Sequence, residues 1–147
     1  MNNTPQVKAP WLNSRDPEVP AALTYSELSM CSRVEEMVRR YPDYIAYEFM
    51  GKCTTYAEMW KKINACAKSL KAIGIREGDK VTICMPNAPQ TLCMFYAVNM
   101  VGAIANMVHP LSAESEIAFY LRDSGSVAAI TLDQFYNKFE SVRKAVD

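Results

Sequence analysis

Short apolar segments alternate with helical patterns through the second half of this sequence. The apolar segments lie near Val81, Ile104 and Val127, and residues 90–101 and 112–123 between them have the composition of helices. Strands that alternate with helices of ten or more residues pair in parallel and are joined by right-handed crossovers. The alternation therefore predicts an α/β fold with a mostly parallel sheet.

The helix before the first of these strands has sequence signals for its start and for its end. Thr55 and Glu58 have the spacing of a capping box, in which each side chain accepts a hydrogen bond from the backbone of the other residue. Gly74 can adopt the left-handed conformation that ends many helices. Between them, apolar residues recur at intervals of three and four, which predicts one buried face. These residues are Tyr56, Met59, Trp60, Ile63, Ala67, Leu70 and Ile73.

The beginning of the sequence carries weaker patterns. Residues 1–28 contain four prolines and no periodicity, which predicts an extended arm over the surface. We expect Trp11 to anchor this arm. The remaining residues, 29–147, are predicted to form one α/β unit.

A short helix and a hairpin are predicted between the arm and the helix that Thr55 caps. The helix covers residues 30–40 and ends before Pro42, because the residue preceding a proline avoids helical angles. Gly51 and Lys52 separate two strand-like segments, and they are predicted to form the two-residue turn of the hairpin.

The sequence also predicts how one further helix is covered and where another begins. The helix at residues 90–101 is apolar on nearly every side, and such a helix needs cover on both sides. We expect part of that cover to come from protein outside this sequence. The helix after the third strand is expected to begin at Asp133, whose carboxylate can cap it.

Composition excludes several classes of protein. Sixteen Lys and Arg residues balance sixteen Asp and Glu residues, so no bulk charge favours nucleic acid or an anionic membrane. The five cysteines lack C-x-x-C spacing, which predicts free thiols in a reducing cytoplasm. The apolar run at residues 92–108 is interrupted by Asn99, Gly102 and Asn106, so no transmembrane helix is predicted. The first residues also lack the basic and apolar regions of a signal peptide.

A set of short motifs occurs in a fixed order along the sequence. The motifs are Pro10-Trp11-Leu12, Tyr41-Pro42-Asp43, Thr54-Thr55-Tyr56-Ala57-Glu58, Gly74-Ile75, Gly78-Asp79-Lys80-Val81, Pro86-Asn87, Gly102-Ala103-Ile104, Pro110-Leu111 and Asp123-Ser124-Gly125. This set resembles the N-terminal region of AMP-forming acyl-CoA synthetases, most strongly the long-chain fatty-acid ligases of that adenylate-forming superfamily. The resemblance extends from Pro10 to about Tyr136. His109 departs from the pattern, because the family more often has Asn before Pro-Leu.

The resemblance implies an ATP-dependent acid–thiol ligase. In that family a fatty acid attacks the α-phosphate of ATP to give an acyl-adenylate, and coenzyme A then displaces AMP. ATP, Mg²⁺ and coenzyme A are therefore expected for the whole enzyme, with a fatty acid or related carboxylate as substrate. Aryl-CoA ligases, luciferase-like enzymes and peptide-synthetase adenylation domains share much of the pattern, so the acyl substrate stays open.

The groups that perform this chemistry in the family are absent from the sequence. The family uses a Ser/Thr/Gly-rich loop ending in Pro-Lys-Gly, an acidic residue on the ribose and a lysine in a C-terminal domain. This sequence has only five glycines and neither G-x-x-x-x-G-K-[ST] nor G-x-G-x-x-G. We therefore predict an N-terminal fragment that is folded but inactive alone, with no catalytic, cofactor-binding or metal-binding residue and no bound cofactor. Its partner is expected to be the rest of the ligase chain.

A few residues are candidates to line a pocket of the whole enzyme. Open parallel sheets bind ligands beyond the carboxyl ends of their strands, which points to Asn87, His109 and Asp133. His109 and Cys93 are interpreted as packing residues rather than as a base and a nucleophile. Phe95 and Tyr96 suit either the core or a fatty-acid tunnel.

The lysines of the helix that Thr55 caps are expected to be solvated rather than to contact coenzyme A phosphates. They are Lys61, Lys62, Lys68 and Lys71.

Two other functions stay open at this point. A small flavodoxin-like or receiver-like module would be complete at this length, but it would need a phosphate loop or an acidic cluster at the strand ends. A non-catalytic module could instead dimerise through the apolar helix at residues 90–101, and homo-oligomers through exposed apolar surface are a related possibility.

Overall fold

The structure, a computed structural model, describes residues 9–146. These residues form five α-helices and five strands in two separate sheets. The helices are α1 (Met30–Arg40), α2 (Tyr56–Ala72), α3 (Pro89–Met100), α4 (Glu114–Ser124) and α5 (Tyr136–Val146). The strands are β1 (Ile45–Phe49), β2 (Lys52–Thr55), β3 (Lys80–Cys84), β4 (Ile104–Met107) and β5 (Ala128–Thr131).

The main sheet has three parallel strands in the order β4-β3-β5. Val81 of the central strand pairs with Ala105 on one side and with Ala128 on the other. The strands alternate with helices as the sequence predicts, and the α/β fold class is confirmed.

The central strand separates two hydrophobic layers because its side chains alternate between the faces of the sheet. Val81 and Ile83 belong to a core shared with α2 and α3. Cys84 belongs to a second core, which contains Ile117 of α4 and Val142 of α5. The β3-to-β4 crossover runs over the first face, and the β4-to-β5 crossover returns over the second. The two crossovers therefore have the same hand, as right-handed connections require.

Helix α2 begins and ends as the sequence predicts. The Thr55 hydroxyl accepts a hydrogen bond from the Glu58 N–H at 3.2 Å, and a Glu58 carboxylate oxygen accepts one from the Thr55 N–H at 2.9 Å. Gly74 has a φ of 97°, and the next residue, Ile75, is buried and donates its N–H to the Leu70 carbonyl. Both ends of the helix are thus set by local sequence.

The N-terminal arm differs in detail from the prediction. A 3₁₀ helix spans Pro10–Ser14, and residues 15–29 contain neither helix nor strand. Trp11 is 66% exposed, so its predicted anchoring role is wrong. The arm approaches the body near its end instead, where Tyr25 and Leu28 line a groove together with Val34 of α1. Residues 1–8 lie outside the described part of the chain, and the division at residue 28 stays a prediction.

The hairpin turn lies one residue earlier than predicted. Strands β1 and β2 pair in antiparallel register with Phe49 opposite Lys52, so the two turn residues are Met50 and Gly51. Both have positive φ, 50° and 76°, as the favoured two-residue hairpin turns require. The prediction of Gly51 and Lys52 is wrong because Lys52 is the first residue of β2 and pairs in the ladder.

Helix α3 is covered within this chain. Helices α1 and α2 pack on it, and β3 and β4 lie on its other side. Its apolar side chains are all buried or half-buried. The expectation that part of its cover must come from other protein is therefore wrong, because α1 supplies a layer that the helical pattern alone did not place.

Candidate functional site

Strands β3, β4 and β5 end at the same edge of the main sheet, and two clefts open there. Open parallel sheets bind ligands at this edge. The buried side chain of Met85, which follows β3, lines both clefts. The two clefts are therefore neighbours that share one wall.

The first cleft, which we call the His109 cleft, has a volume of about 410 Å³. Its polar lining consists of Asn87, His109 and Gln134, and no charged residue lines it. The structure thus brings together Asn87 and His109, which the sequence predicted at the strand ends. The apolar lining residues are Met85, Pro86, Met107, Val108, Pro110, Leu111 and Phe135.

Asp133 does not line either cleft, and its expected place at a pocket of the whole enzyme stays a prediction. It opens a 3₁₀ turn, Asp133–Phe135, and its carboxylate accepts a hydrogen bond from the Gln134 N–H at 2.9 Å. This turn separates β5 from α5, so the α-helix begins at Tyr136 and Asp133 does not cap it. The same turn places Gln134 in the His109 cleft, a position that the sequence pattern did not reveal.

The ring of His109 is oriented by its own loop. Its Nδ1 accepts a hydrogen bond from the Leu111 N–H at 3.2 Å. In the neutral imidazole the proton then resides on Nε2, which can act as a donor. Cys93 lies in the other cleft, so the structure does not bring His109 and Cys93 together as a base and a nucleophile.

The second cleft, which we call the Lys62 cleft, has a volume of about 500 Å³ and lies between α2, α3 and the end of β5. Lys62 and Tyr47 form its polar rim: Lys62 Nζ donates a hydrogen bond to Tyr47 Oη at 3.2 Å and lies 5.7 Å from the ring centre. This hydrogen bond raises the pKa of Lys62. The other lining residues are Cys66, Met85, Pro89, Gln90, Cys93, Met94, Ile130, Thr131 and Leu132.

The two thiols of the Lys62 cleft are held in their neutral form by their surroundings. Burial raises the pKa of Cys66. Burial also raises the pKa of Cys93, the neighbouring Cys66 raises it further, and Lys62 acts in the opposite direction. Thiols that are buried in apolar surroundings are poor nucleophiles because the thiolate is the reactive form.

Sequence reasoning missed the role of Lys62 because the helical pattern placed it on the polar face of α2. Its ammonium group is exposed as predicted, yet it meets Tyr47 of the hairpin across the cleft. Predicting this contact would have required knowing where β1 lies relative to α2. That placement depends on the turn at Met50 and Gly51. The other lysines of α2 are exposed, as predicted.

Phe95 and Tyr96 pack against the main core. Their rings meet edge to face at 5.5 Å. Phe95 also lines a small groove with Asn87 and Met107.

No residues in the described part of the chain form a group of three or more from His, Cys, Asp and Glu with the arrangement of a metal site. Across residues 9–146, every helix is too short or too polar to cross a bilayer.

A family model described as "AMP-binding enzyme" matches residues 34–147. The chain belongs to this family. Long-chain-fatty-acid–CoA ligases of Bacillus subtilis and Salmonella typhimurium are 32% and 30% identical to this chain, over 90% and 92% of its length. The resemblance to acyl-CoA synthetases that the ordered motifs indicate is thereby confirmed.

Solved structures agree with this assignment. The N-terminal domain of FACL13 from Mycobacterium tuberculosis superposes with a TM-score of 0.74 at 31% identity, over 80% of this chain and 30% of that one. The anthranilate CoA ligase AuaEII has a TM-score of 0.77 at 21% identity, over 84% of this chain and 25% of that one, and this likeness concerns the fold alone. The chain spans about a quarter of the length of the curated ligases, 24% and 25% for the two named above.

Proposed function

We propose that this chain is the N-terminal part of an ATP-dependent acid–CoA ligase. The ligase activates a fatty acid, which we propose to be a long-chain one, through an acyl-adenylate. It then transfers the acyl group to coenzyme A. The observation that carries the proposal is the 32% identity to a long-chain-fatty-acid–CoA ligase over 90% of the chain. We place the ligase in the cytoplasm, a choice supported by the five free thiols.

The His109 cleft at the carboxyl edge of the sheet does not fit ATP. The His109 cleft has no Lys or Arg in its lining, whereas a triphosphate with Mg²⁺ requires cations or a cradle of backbone N–H groups. The sequence also lacks a glycine-rich phosphate loop. We therefore propose that ATP, Mg²⁺ and coenzyme A bind to other parts of the ligase, and that this chain alone is inactive.

We propose that the His109 cleft is one wall of a binding site in the whole ligase. Asn87, His109 and Gln134 present hydrogen-bonding groups beside apolar side chains, a combination that orients ligands in many binding sites. We propose that this wall faces the ligase active site without taking part in bond formation.

Pyrophosphate release tests the proposal directly. The 147-residue chain and the longest product of its gene are each mixed with ATP, Mg²⁺, palmitate and coenzyme A. We expect palmitate-dependent pyrophosphate from the longer product and none above a blank without protein from the chain alone. Release by the chain alone would contradict the fragment proposal, and a longer product without acid-dependent release would contradict the ligase proposal.

A second candidate function is association without catalysis. It is favoured by the exposure of large apolar side chains on the arm and near the His109 cleft, including Trp11 at 66%, Tyr25 at 80% and Leu111 at 75%. Light scattering after size exclusion tests it. A concentration-dependent dimer of the chain would support association, and a monomer at all concentrations would exclude it.

A further inference from the structure

Lys138 of α5 makes two hydrogen bonds to the loop that carries His109. Its side chain is half-buried, and its Nζ donates to the Pro110 carbonyl at 3.2 Å and to the Ser112 carbonyl. Within residues 9–146 its charge has no salt-bridge partner. Hydrogen bonds from a charged donor are stronger than those between neutral groups, so Lys138 can fix the position of this loop.

The loop after β4 directs its backbone groups to two side chains. The N–H groups of Leu111 and Ser112 donate to His109, the first to the ring Nδ1 at 3.2 Å and the second to the backbone carbonyl at 3.1 Å. Pro110 has no N–H group. The carbonyls of Pro110 and Ser112 accept from Lys138 instead. The loop is therefore held by His109 through its donors and by Lys138 through its acceptors.

One peptide group connects Lys138 to the ring of His109. The Pro110 carbonyl and the Leu111 N–H belong to the same planar trans peptide, in which the two bonds point in opposite directions. Because Lys138 holds the carbonyl on one side, the N–H is directed to the other side, where Nδ1 of His109 accepts it. Rotation of this peptide group would break both hydrogen bonds together.

Lys138 also joins two separate parts of the lining of the His109 cleft. Gln134 and Phe135 belong to the 3₁₀ turn directly before α5, and Lys138 lies in the first turn of α5. His109 and Leu111 line the cleft from the loop after β4. The two hydrogen bonds of Lys138 therefore hold the two parts of the lining in a fixed relation.

We propose that Lys138 is a positioning residue of the His109 cleft. It orients the ring of His109 so that Nδ1 is occupied and the Nε2–H is the donor that the ring offers to a ligand. An acceptor oxygen, such as that of a carbonyl or carboxylate group, suits this donor. Lys138 does not line the cleft itself and acts through His109. The role of this donor in the ligase rests on the proposed function.

Nuclear magnetic resonance of the 147-residue chain tests the orientation of the ring. The chain contains one histidine, so its ring nitrogens are observed without overlap. At about pH 8.5, where an imidazole is neutral, we expect one tautomer with the proton on Nε2. Lys138→Met keeps an unbranched side chain and removes the ammonium group. It should move the ¹⁵N shifts of the two ring nitrogens toward each other, as a mixture of tautomers does.

Amide hydrogen exchange measures the loop directly. Lys138→Met should accelerate exchange at Leu111 and Ser112 by about tenfold or more, because local opening becomes easier. Lys144→Met is the matched control, since Lys144 is an exposed lysine of the same helix; it should change neither the exchange rates nor the ring signals. Lys138→Arg keeps a cation with several donors and should restore the single tautomer.

Two results would overturn this role of Lys138. One is a Lys138→Met chain that matches the Lys144→Met chain in ring signals and exchange. The other is an acceleration at Val81, in the core strand, as large as that at Leu111, which would report general destabilisation. If Lys138→Met unfolds, the unchanged chain decides: a scalar coupling between Lys138 Nζ and the Pro110 carbonyl carbon supports the proposal, and its absence overturns it.

The longest product of the gene tests the role in the ligase. Lys138→Met should raise the KM for palmitate by about fivefold and leave kcat within about twofold, because a group that binds substrate and transition state equally affects KM alone. Lys144→Met should change neither constant. Changed ring signals with an unchanged KM would overturn the role in the ligase. A longer product without palmitate-dependent pyrophosphate would contradict the ligase proposal itself, and the resonance results would still stand.

Discussion

Thr55 and Glu58 act as a pair at the start of α2, where each side chain accepts a hydrogen bond from the backbone of the other. The first N–H groups of a helix have no partner inside it. Both residues are available for substitution because neither belongs to the buried core.

We expect Thr55→Ala to lower the free energy of unfolding by about 1 kcal/mol, the usual cost of losing such a cap. Urea denaturation of the chain measures the change. Ser69→Ala is the control, since Ser69 is an exposed α2 residue whose hydroxyl only bonds back to the Ala65 carbonyl; it should change stability by less than about 0.5 kcal/mol. Equal effects of both substitutions would contradict the capping role.

A partly buried polar cluster connects the sheet to the end of α4. Thr82 is fully buried, and its hydroxyl lies 2.7 Å from the Ser126 hydroxyl and accepts a hydrogen bond from the Asn106 side chain at 2.9 Å. Asn106 also donates to the Ser124 hydroxyl at 3.2 Å. Buried polar groups without partners destabilise a fold, so this cluster favours the observed alignment of β3, β4 and the end of α4.

At the level of elements, the hairpin contains a local conflict between sequence and backbone. Met50 has a φ of 50° and is 90% exposed, so it occupies the left-handed region without packing that would compensate. A residue with a Cβ atom is disfavoured there by roughly 1–2 kcal/mol. Asn tolerates this conformation, and Asn-Gly is the preferred pair for the turn.

Met50→Asn should therefore raise the free energy of unfolding by about 0.5–1 kcal/mol, because Asn removes part of the conformational penalty of the left-handed backbone at that position. Thermal and urea denaturation report the change. Lys52→Asn serves as its control, because residue 52 pairs in the β2 ladder and Asn is depleted in strands. A stabilisation by Lys52→Asn, or none by Met50→Asn, would refute the turn assignment.

The elements whose signals are local could be predicted from the sequence. Helix α2 was predicted to the residue at its start because a capping box involves only neighbours, and β3 was predicted because it is short, apolar and bounded by turns. The hairpin turn was misplaced by one residue, since glycine suggested the turn and the strained Met50 gave no signal. The expected start of the last α-helix at Asp133 is wrong, because nothing local distinguishes a 3₁₀ turn from the first turn of an α-helix.

The clefts could be predicted only in part. Asn87 and His109 follow strands, and parallel topology alone places them together. Gln134, Tyr47 and Lys62 line the clefts through contacts between elements far apart in sequence, and such contacts depend on packing angles that no periodicity encodes. For the same reason, the sequence did not reveal that Cys66 and Cys93 line one cleft.

At the scale of the whole molecule, buried thiols make stability depend on pH. Burial raises the pKa of Cys31, Cys66, Cys84 and Cys93 in the folded state. In the unfolded chain a thiol loses its proton near pH 8.5, while the folded protein still holds it. The folded state then binds more protons than the unfolded state, so stability falls as pH rises.

Below about pH 8, we expect these thiols to cause no change in the free energy of unfolding with pH. From about pH 8.5 upward, we expect them to make it decrease. Urea midpoints between pH 7 and pH 10, under reducing conditions, measure the trend. Cys66→Ala should make the decrease shallower, whereas Cys53→Ala should leave it unchanged because Cys53 is exposed. An unchanged slope for Cys66→Ala would contradict the assignment.

The central position of β3 has a consequence for how the molecule comes apart. Its five residues contribute Val81 and Ile83 to one hydrophobic core and Cys84 to the other, and both neighbouring strands pair with it. Detaching either layer of helices exposes the same strand, and losing that strand removes the hydrogen-bonding partner of both β4 and β5. We therefore expect the two cores to form one cooperative unit that unfolds in a single transition, although each has its own set of side chains.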